Sequence, residues 1–291
     1  MYHEISSAFP YTSHYLDIAD TRIHYIEEGK GNPVIFLHSV PAWSYTWRNI
    51  IPYLAHESRC IAPDLVGFGR SGKSGQAYRI FDHIHYIERF INKMNFNNIT
   101  LVMHGWGSVI GFHLAMKYPE RIKGLAFFEA HLRPQMDNAL LSLPEQELKD
   151  NLHPDHYEAI VNTNYYITQI LPQCIMRPLN SEEMDYYREP FKQAGDGQPI
   201  WQYLEDLHLN HGKSDVTQLI QDYSLKLCRS MIPKLMLYAV PGFITTIETV
   251  QWAKQHFPNL TLVDIGESLH YPQETNPDIV GHELYKWHMN L

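Results

Sequence analysis

Cysteine, positive charge and long apolar runs are all scarce in this chain. Three cysteines occur in 291 residues, Cys60, Cys174 and Cys228, odd in number and far apart. They make neither a disulfide framework nor a zinc pattern, and a reducing compartment fits such usage. Lysine and arginine total 23 against 32 aspartates and glutamates, a formal charge of −9. A nucleic-acid binder carries the opposite excess, so that class is set aside. No stretch approaches the roughly 18 consecutive apolar residues of a membrane span. The first residues, MYHEISSAFPYTSHYLD, lack the apolar region of a signal peptide. The chain is expected to be cytoplasmic, with neither a nucleic-acid nor a membrane partner; its oligomeric state is not legible. Repeats and low-complexity segments are missing as well. What is present, 44% hydrophobic and 19% charged, suits one large globular domain, or one domain with an insertion.

The first third alternates short apolar runs with helical patterns. Residues 14–29 read as two strands around a turn. Val34-Ile35-Phe36-Leu37 is a continuous apolar run, as expected of a strand buried on both faces, and the stretches 60–65, 99–103 and 125–128 repeat it. Helical stretches at 47–56, 81–95 and 108–118 lie between them, so the order βαβαβαβ predicts a mostly parallel sheet covered on both faces. Near residue 133 the alternation stops, and prolines at 134, 144, 154, 172, 178, 190 and 199 punctuate a helical or irregular stretch. The α/β rhythm returns with strands at 234–240 and 260–265 and helices near 246–256 and 277–290. The economical division is a core of residues 1–132 and 216–291 with an inserted helical cap, 133–215.

Open parallel sheets place their sites at the carboxyl ends of the strands. Three such ends carry chemistry: His38-Ser39-Val40-Pro41, His104-Gly105-Trp106-Gly107-Ser108 and Gly266-Glu267-Ser268-Leu269-His270. The small residues at 105–108 permit a sharp strand-to-helix turn of the nucleophile-elbow kind, with position 105 at its apex.

The chain resembles an α/β-hydrolase of the haloalkane dehalogenase family, the group that also includes the coelenterazine-using luciferase. The likeness spans nearly the whole sequence. It rests on the runs 34–38, Trp47-Arg48-Asn49-Ile50-Ile51-Pro52, Asp64-Leu65-Val66-Gly67-Phe68-Gly69-Arg70-Ser71-Gly72-Lys73, 121–126 and His270-Tyr271-Pro272-Gln273-Glu274, in the family's order and spacing. In that family an elbow Asp attacks the halogen-bearing carbon. A His then activates water against the resulting ester, a carboxylate orients the His, and an Asn and a Trp hold the halide. The resemblance implies His270 as the base, Glu129 as its carboxylate and Trp106 as the halide Trp. It also exposes departures: Gly105 stands at the nucleophile position, Val40 at the halide Asn, and Ser39 where a Gly is usual.

A glycine offers no nucleophile, and valine no side-chain donor to a departing anion, so dehalogenation is not expected. His270 and Glu129 remain as a base and its orienter. With no side chain at 105, space is expected beside His270 for a water or part of the substrate, faced by the Trp106 and Val40 N–H groups as oxyanion donors. Such a site suits proton abstraction beside a carbonyl, elimination, cyclisation or cofactor-free oxygenation of a small, largely apolar substrate. Two alternatives stay open: a non-catalytic ligand-binding protein, and a hydrolase using directly activated water. Ser39 is a replacement nucleophile only where His270 reaches it, which the sequence does not show; Ser108 reads as a packing residue at a helix start. His83 and His85 face different sides of a helix, and the pairs His153/His156 and His208/His211 lack an evident third ligand, so neither metal nor cofactor is expected. Tyr165, Tyr166 and Tyr203 read as lid packing, some of them on its inner face, and the glycines at 67, 69 and 72 as a turn rather than a phosphate loop. Gly105→Asp with Val40→Asn is expected to restore halide release, and Gly105→Asp alone is not.

Overall fold

The computed structural model describes residues 5–134, 154–208 and 214–291. Pro144, His153 and His211, singled out above, lie outside them. Eight strands form one sheet in the order β1-β2-β4-β3-β5-β6-β7-β8. The antiparallel hairpin β1 (Ser13–Ile18) and β2 (Thr21–Glu28) caps one edge of it. The remaining strands run parallel: β3 (Pro33–Leu37), β4 (Arg59–Pro63), β5 (Ile99–Gly105), β6 (Ile122–Ala130), β7 (Lys234–Pro241) and β8 (Leu260–Ser268).

The apolar runs are continuous because both faces are covered. Along β3, Ile35 and Leu37 enter one core, and Val34 and Phe36 the other. The helices α1 (Ile80–Lys93) and α2 (Trp106–Lys117) line the first of these, and α8 (Pro277–His288) sends Val280 and Leu284 into the second. Helix α7 (Ile247–His256) connects β7 to β8. Between β6 and β7 the described residues hold only helices: α3 (Pro154–Asn162), α4 (Ser181–Arg188), α5 (Gln198–His208), α6 (Asp215–Leu227) and short turns. Tyr223 of α6 packs on Phe112 of α2, their ring centroids 5.6 Å apart.

Register sets the site. Leu37 pairs with Met103 across β3 and β5, and Gly105 with Ala130 across β5 and β6. Pro241 pairs with Ser268 across β7 and β8. The segments beginning at His38, Gly105, His131, Gly242 and Leu269 therefore emerge side by side at one edge, although up to 231 residues separate them in sequence. Gly107 makes the closest approach possible: a Cβ there would stand 2.3 Å from the Leu37 carbonyl oxygen. A bare residue at 107 is what lets α2 start against the end of β3.

Helix α4 is tied to the core by a buried ionic cluster. Arg48 donates to both oxygens of Glu274, at 2.5 and 2.9 Å, and to Glu183 of α4 at 2.8 Å. Arg177 bridges the same two carboxylates from the other side, so two positive and two negative groups balance inside.

Candidate active site

Strand β5 ends in a sharp turn at Gly105, with φ +48° and ψ −119°, and helix α2 begins at the next residue. This is the strained strand-turn-helix geometry of a nucleophile elbow. Here it carries no side chain.

His270 faces that elbow. Its Nδ1 lies 3.1 Å from Glu129 Oε2, and its Nε2 would lie 3.3 Å from a Cβ on Gly105. The Glu129 side chain is 2% exposed, yet it is fully partnered. The backbone N–H groups of Phe243, Ile244 and Thr245, in the turn after β7, donate to its two oxygens at 2.8–3.2 Å. Three amides and an imidazole thus hold a buried carboxylate that would otherwise be costly. Glu129 itself sits at φ +46°, a conformation that side chains rarely adopt, where β6 turns its last residues toward the site. With Nδ1–H donated to Glu129, Nε2 is left as the acceptor facing the elbow.

Two further histidines fix this arrangement. His104 donates from Nε2 to the carbonyl of His270 at 2.7 Å and accepts on Nδ1 from the Gln273 amide at 3.1 Å, with its ring 4.5 Å from that of His270. Burial, and then the neighbouring His270, hold His104 well below the ordinary imidazole pKa. His38 donates from Nδ1 to the Ser39 carbonyl at 2.9 Å and accepts the Leu65 N–H on Nε2 at 2.9 Å. Burial lowers its pKa also. Both are neutral struts at pH 7.

The space expected beside His270 is filled. Ser39 Oγ lies 2.1 Å, and its Cβ 2.6 Å, from the point a Gly105 Cβ would occupy. The Trp106 N–H, expected to be open as an oxyanion donor, donates to Ser39 Oγ at 3.1 Å. The Cβ position vacated at the elbow is thus taken by the hydroxyl of the neighbouring loop. For the same reason a side chain restored at residue 105, as in the Gly105→Asp/Val40→Asn variant, meets Ser39 first. The Val40 N–H makes no hydrogen bond among the described residues, while its carbonyl accepts from the Tyr271 hydroxyl at 2.8 Å. Ser108 donates to the Gly105 carbonyl at 2.6 Å and accepts the His131 N–H at 3.0 Å, a structural post.

Trp106 is buried and meets Tyr203 of α5 edge-on at 5.1 Å, which brings that tyrosine to the site. The Trp106 indole N–H has no partner among the described residues. His131 was missed in the sequence. It is 1% exposed, with neither ring nitrogen hydrogen-bonded, and its ring stands 5.8 Å from Trp106. Burial, and secondarily the His270 charge, push its pKa down to about 3. Its backbone is pinned by Ser108 and by the Tyr223 hydroxyl, 2.5 Å from its carbonyl. A neutral imidazole buried with a free donor and a free acceptor demands a partner. The available signal was its place, two residues past Glu129 at the carboxyl edge of the sheet.

Among the described residues, no three His, Cys, Asp or Glu side chains are grouped to hold a metal ion, and no helix is long and apolar enough to cross a membrane.

An α/β-hydrolase-fold family model matches residues 32–277. A haloalkane dehalogenase of Sphingobium indicum is 35% identical over 277 residues, 92% of each chain. The chain belongs to the haloalkane dehalogenase-like α/β-hydrolases. Another relative of this chain is the coelenterazine h 2-monooxygenase of Renilla reniformis, 32% identical over 281 residues, 91% of this chain and 87% of that protein. A solved haloalkane dehalogenase from Bradyrhizobium elkani matches it with a TM-score of 0.91 at 32% identity, covering 96% of this chain and 98% of the other. Within that fold Val40 has no side-chain donor and Gly105 no nucleophile, while the His–Glu pair stands complete.

Proposed function

We propose that this α/β-hydrolase is a cofactor-independent enzyme in which His270 is the general base and Glu129 its orienter, and that it does not dehalogenate haloalkanes. Residues 133–215 would form its cap. The observation that carries this is the His270–Glu129 pair: Nδ1 is engaged by a carboxylate held by three backbone amides, and Nε2 is turned to an elbow with no side chain. A structural histidine needs no such alignment. A buried base, near a backbone donor at Val40 that has no hydrogen bond among the described residues, favours removal of a proton whose departure leaves charge on oxygen. Proton abstraction beside a carbonyl, elimination and cyclisation share that step, as does oxygenation of a substrate anion. The Renilla relative is named for oxygenation of coelenterazine h, which makes acidic heteroaromatic compounds the first to try. The unpaired nitrogens of His131 and the Trp106 indole N–H add a requirement: the substrate carries a second polar group, set into an otherwise apolar frame.

The test is a substrate screen of carbonyl-activated aromatic compounds, coelenterazine included, with wild type and His270→Ala side by side. Turnover that falls at least ~100-fold in His270→Ala at unchanged melting temperature supports the base. Equal turnover by the two proteins overturns it.

A second reading, a ligand-binding protein without chemistry, is favoured by one observation: the Trp106 N–H is closed off by Ser39. It requires ligand-induced thermal stabilisation with the ligand recovered unchanged by mass spectrometry, and equal affinity in His270→Ala.

A further inference from the structure

Every general base needs a proton to take, and Ser39 sets a hydroxyl on the same point that His270 Nε2 faces. We infer that Ser39 is a displaced nucleophile, completing a Ser39–His270–Glu129 triad whose serine comes from the loop after β3 instead of the elbow. This inference rests on His270 acting as a base and gives that base a covalent partner; the substrates it adds are carboxylic esters and related acyl compounds.

Ser39 Oγ and His270 Nε2 both lie within 3.3 Å of one point, the site of the absent Gly105 Cβ. Ser39 is fully buried, and its hydroxyl hydrogen has no acceptor among the described residues. A turn about a single staggered torsion moves a serine oxygen by more than an ångström, and catalytic hydrogen bonds commonly tighten only around substrate. The Trp106 N–H already points at Oγ from 3.1 Å, and a donor aimed at a hydroxyl oxygen favours its alkoxide. The backbone beneath is immobilised: His38 grips the Ser39 carbonyl at 2.9 Å and Tyr271 the Val40 carbonyl at 2.8 Å. The N–H of the residue after a nucleophile is the usual oxyanion donor, and here that residue is Val40, whose N–H makes no hydrogen bond among the described residues. In a dehalogenase-like elbow a side chain at 105 would exclude this serine; its loss and the gain of a hydroxyl at 39 are two halves of one exchange.

The chemistry balances without any further reagent than water. Ser39 Oγ attacks the acyl carbon while its proton passes to His270 Nε2. The bond to the leaving alkoxide breaks as that proton is handed on, releasing an alcohol. Water, deprotonated by His270, then attacks the acyl-serine and releases the acid, returning the proton to Ser39.

The test uses diisopropyl fluorophosphate, which reacts with an activated serine by forming an O–P bond and expelling fluoride. Wild type should be labelled on the peptide containing Ser39, with no label in Ser39→Ala and at least ~100-fold slower labelling in His270→Ala. A Ser39→Cys variant, judged folded by its melting temperature, should be alkylated by iodoacetamide in a manner slowed by adding His270→Ala. No label on wild type, label on another serine, or a rate indifferent to His270 overturns the inference. In those cases the base itself is judged separately: a Ser39→Ala protein that keeps the turnover lost in His270→Ala removes the nucleophile and leaves the base standing.

Discussion

Putting an aspartate back at the elbow should fail unless the serine beside it is removed, and the size of that coupling follows from the geometry. A Cβ on Gly105 would stand 2.1 Å from Ser39 Oγ and 2.6 Å from Ser39 Cβ, well inside van der Waals contact. Displacing Ser39 costs about 1–3 kcal/mol of overpacking strain, and losing the Trp106 N–H···Oγ bond about 1 kcal/mol more. The backbone at φ +48° adds a further 1–3 kcal/mol, roughly, for any residue but glycine. Gly105→Asp alone should therefore lose about 3–7 kcal/mol, a large share of a typical domain's roughly 5–15. In a Ser39→Gly background only the backbone strain remains, so the double variant should be about 2–4 kcal/mol better than the sum of the singles. Urea denaturation of wild type, both singles and the double measures this coupling directly. Additivity within about 0.5 kcal/mol would refute the placement of Ser39 in the nucleophile's space. Function should follow the same logic: Ser39→Gly/Gly105→Asp/Val40→Asn releases bromide from short bromoalkanes, and Gly105→Asp/Val40→Asn does not.

Acid should unfold this protein early. His83 and His131 are held near pKa 3 and His288 near 4 by burial, against about 6.5 in an unfolded chain. The unfolded state then binds more protons below pH 6.5, so stability is complete above that pH and falls as pH drops toward 4. The slope is about 1.4 kcal/mol per pH unit for each fully engaged histidine; a urea midpoint flat between pH 6.5 and 4.5 would contradict it. Arg48→Ala leaves Glu183 and Glu274 buried with Arg177 alone and should cost about 3–5 kcal/mol, read from denaturation midpoints. His131→Phe removes two unpaired nitrogens from a buried site and should raise the melting temperature while weakening KM for a substrate that uses them; a lower melting temperature would show that the ring is already partnered. Glu129→Gln exchanges an acceptor for a donor facing three backbone amides, and should lower kcat at least ~100-fold with KM little changed.

The sheet was legible because buried parallel strands leave continuous apolar runs, and 34–37, 99–103 and 125–128 each fall within an observed strand. Ends were harder: β6 continues to Ala130 and β8 to Ser268, because polar residues near a site remain in the ladder. His270, Glu129 and Gly105 could be placed only by the family resemblance, whose motifs carry them over position by position; triad chemistry alone fixes no order along the chain. Ser39 was legible as a departure but not as an occupant. Which atoms fill the space at residue 105 depends on strand register between β3 and β5 and on a serine rotamer, neither of which leaves a periodic trace in sequence. His131 was hidden for a related reason: a histidine among apolar residues reads as core until its hydrogen-bond partners are known to be missing. The Arg48–Glu274 pair joins residues 226 apart, beyond the reach of any local pattern.

The central claim, that His270 is a base acting from its contact with Glu129, is tested most directly by chemical rescue. On the first substrate that wild type turns over, His270→Ala should lose ~100- to 10,000-fold in rate. Added imidazole should then return part of it, in proportion to the unprotonated imidazole as pH is varied. A His270→Ala protein that turns the substrate over at the wild-type rate without imidazole would contradict it.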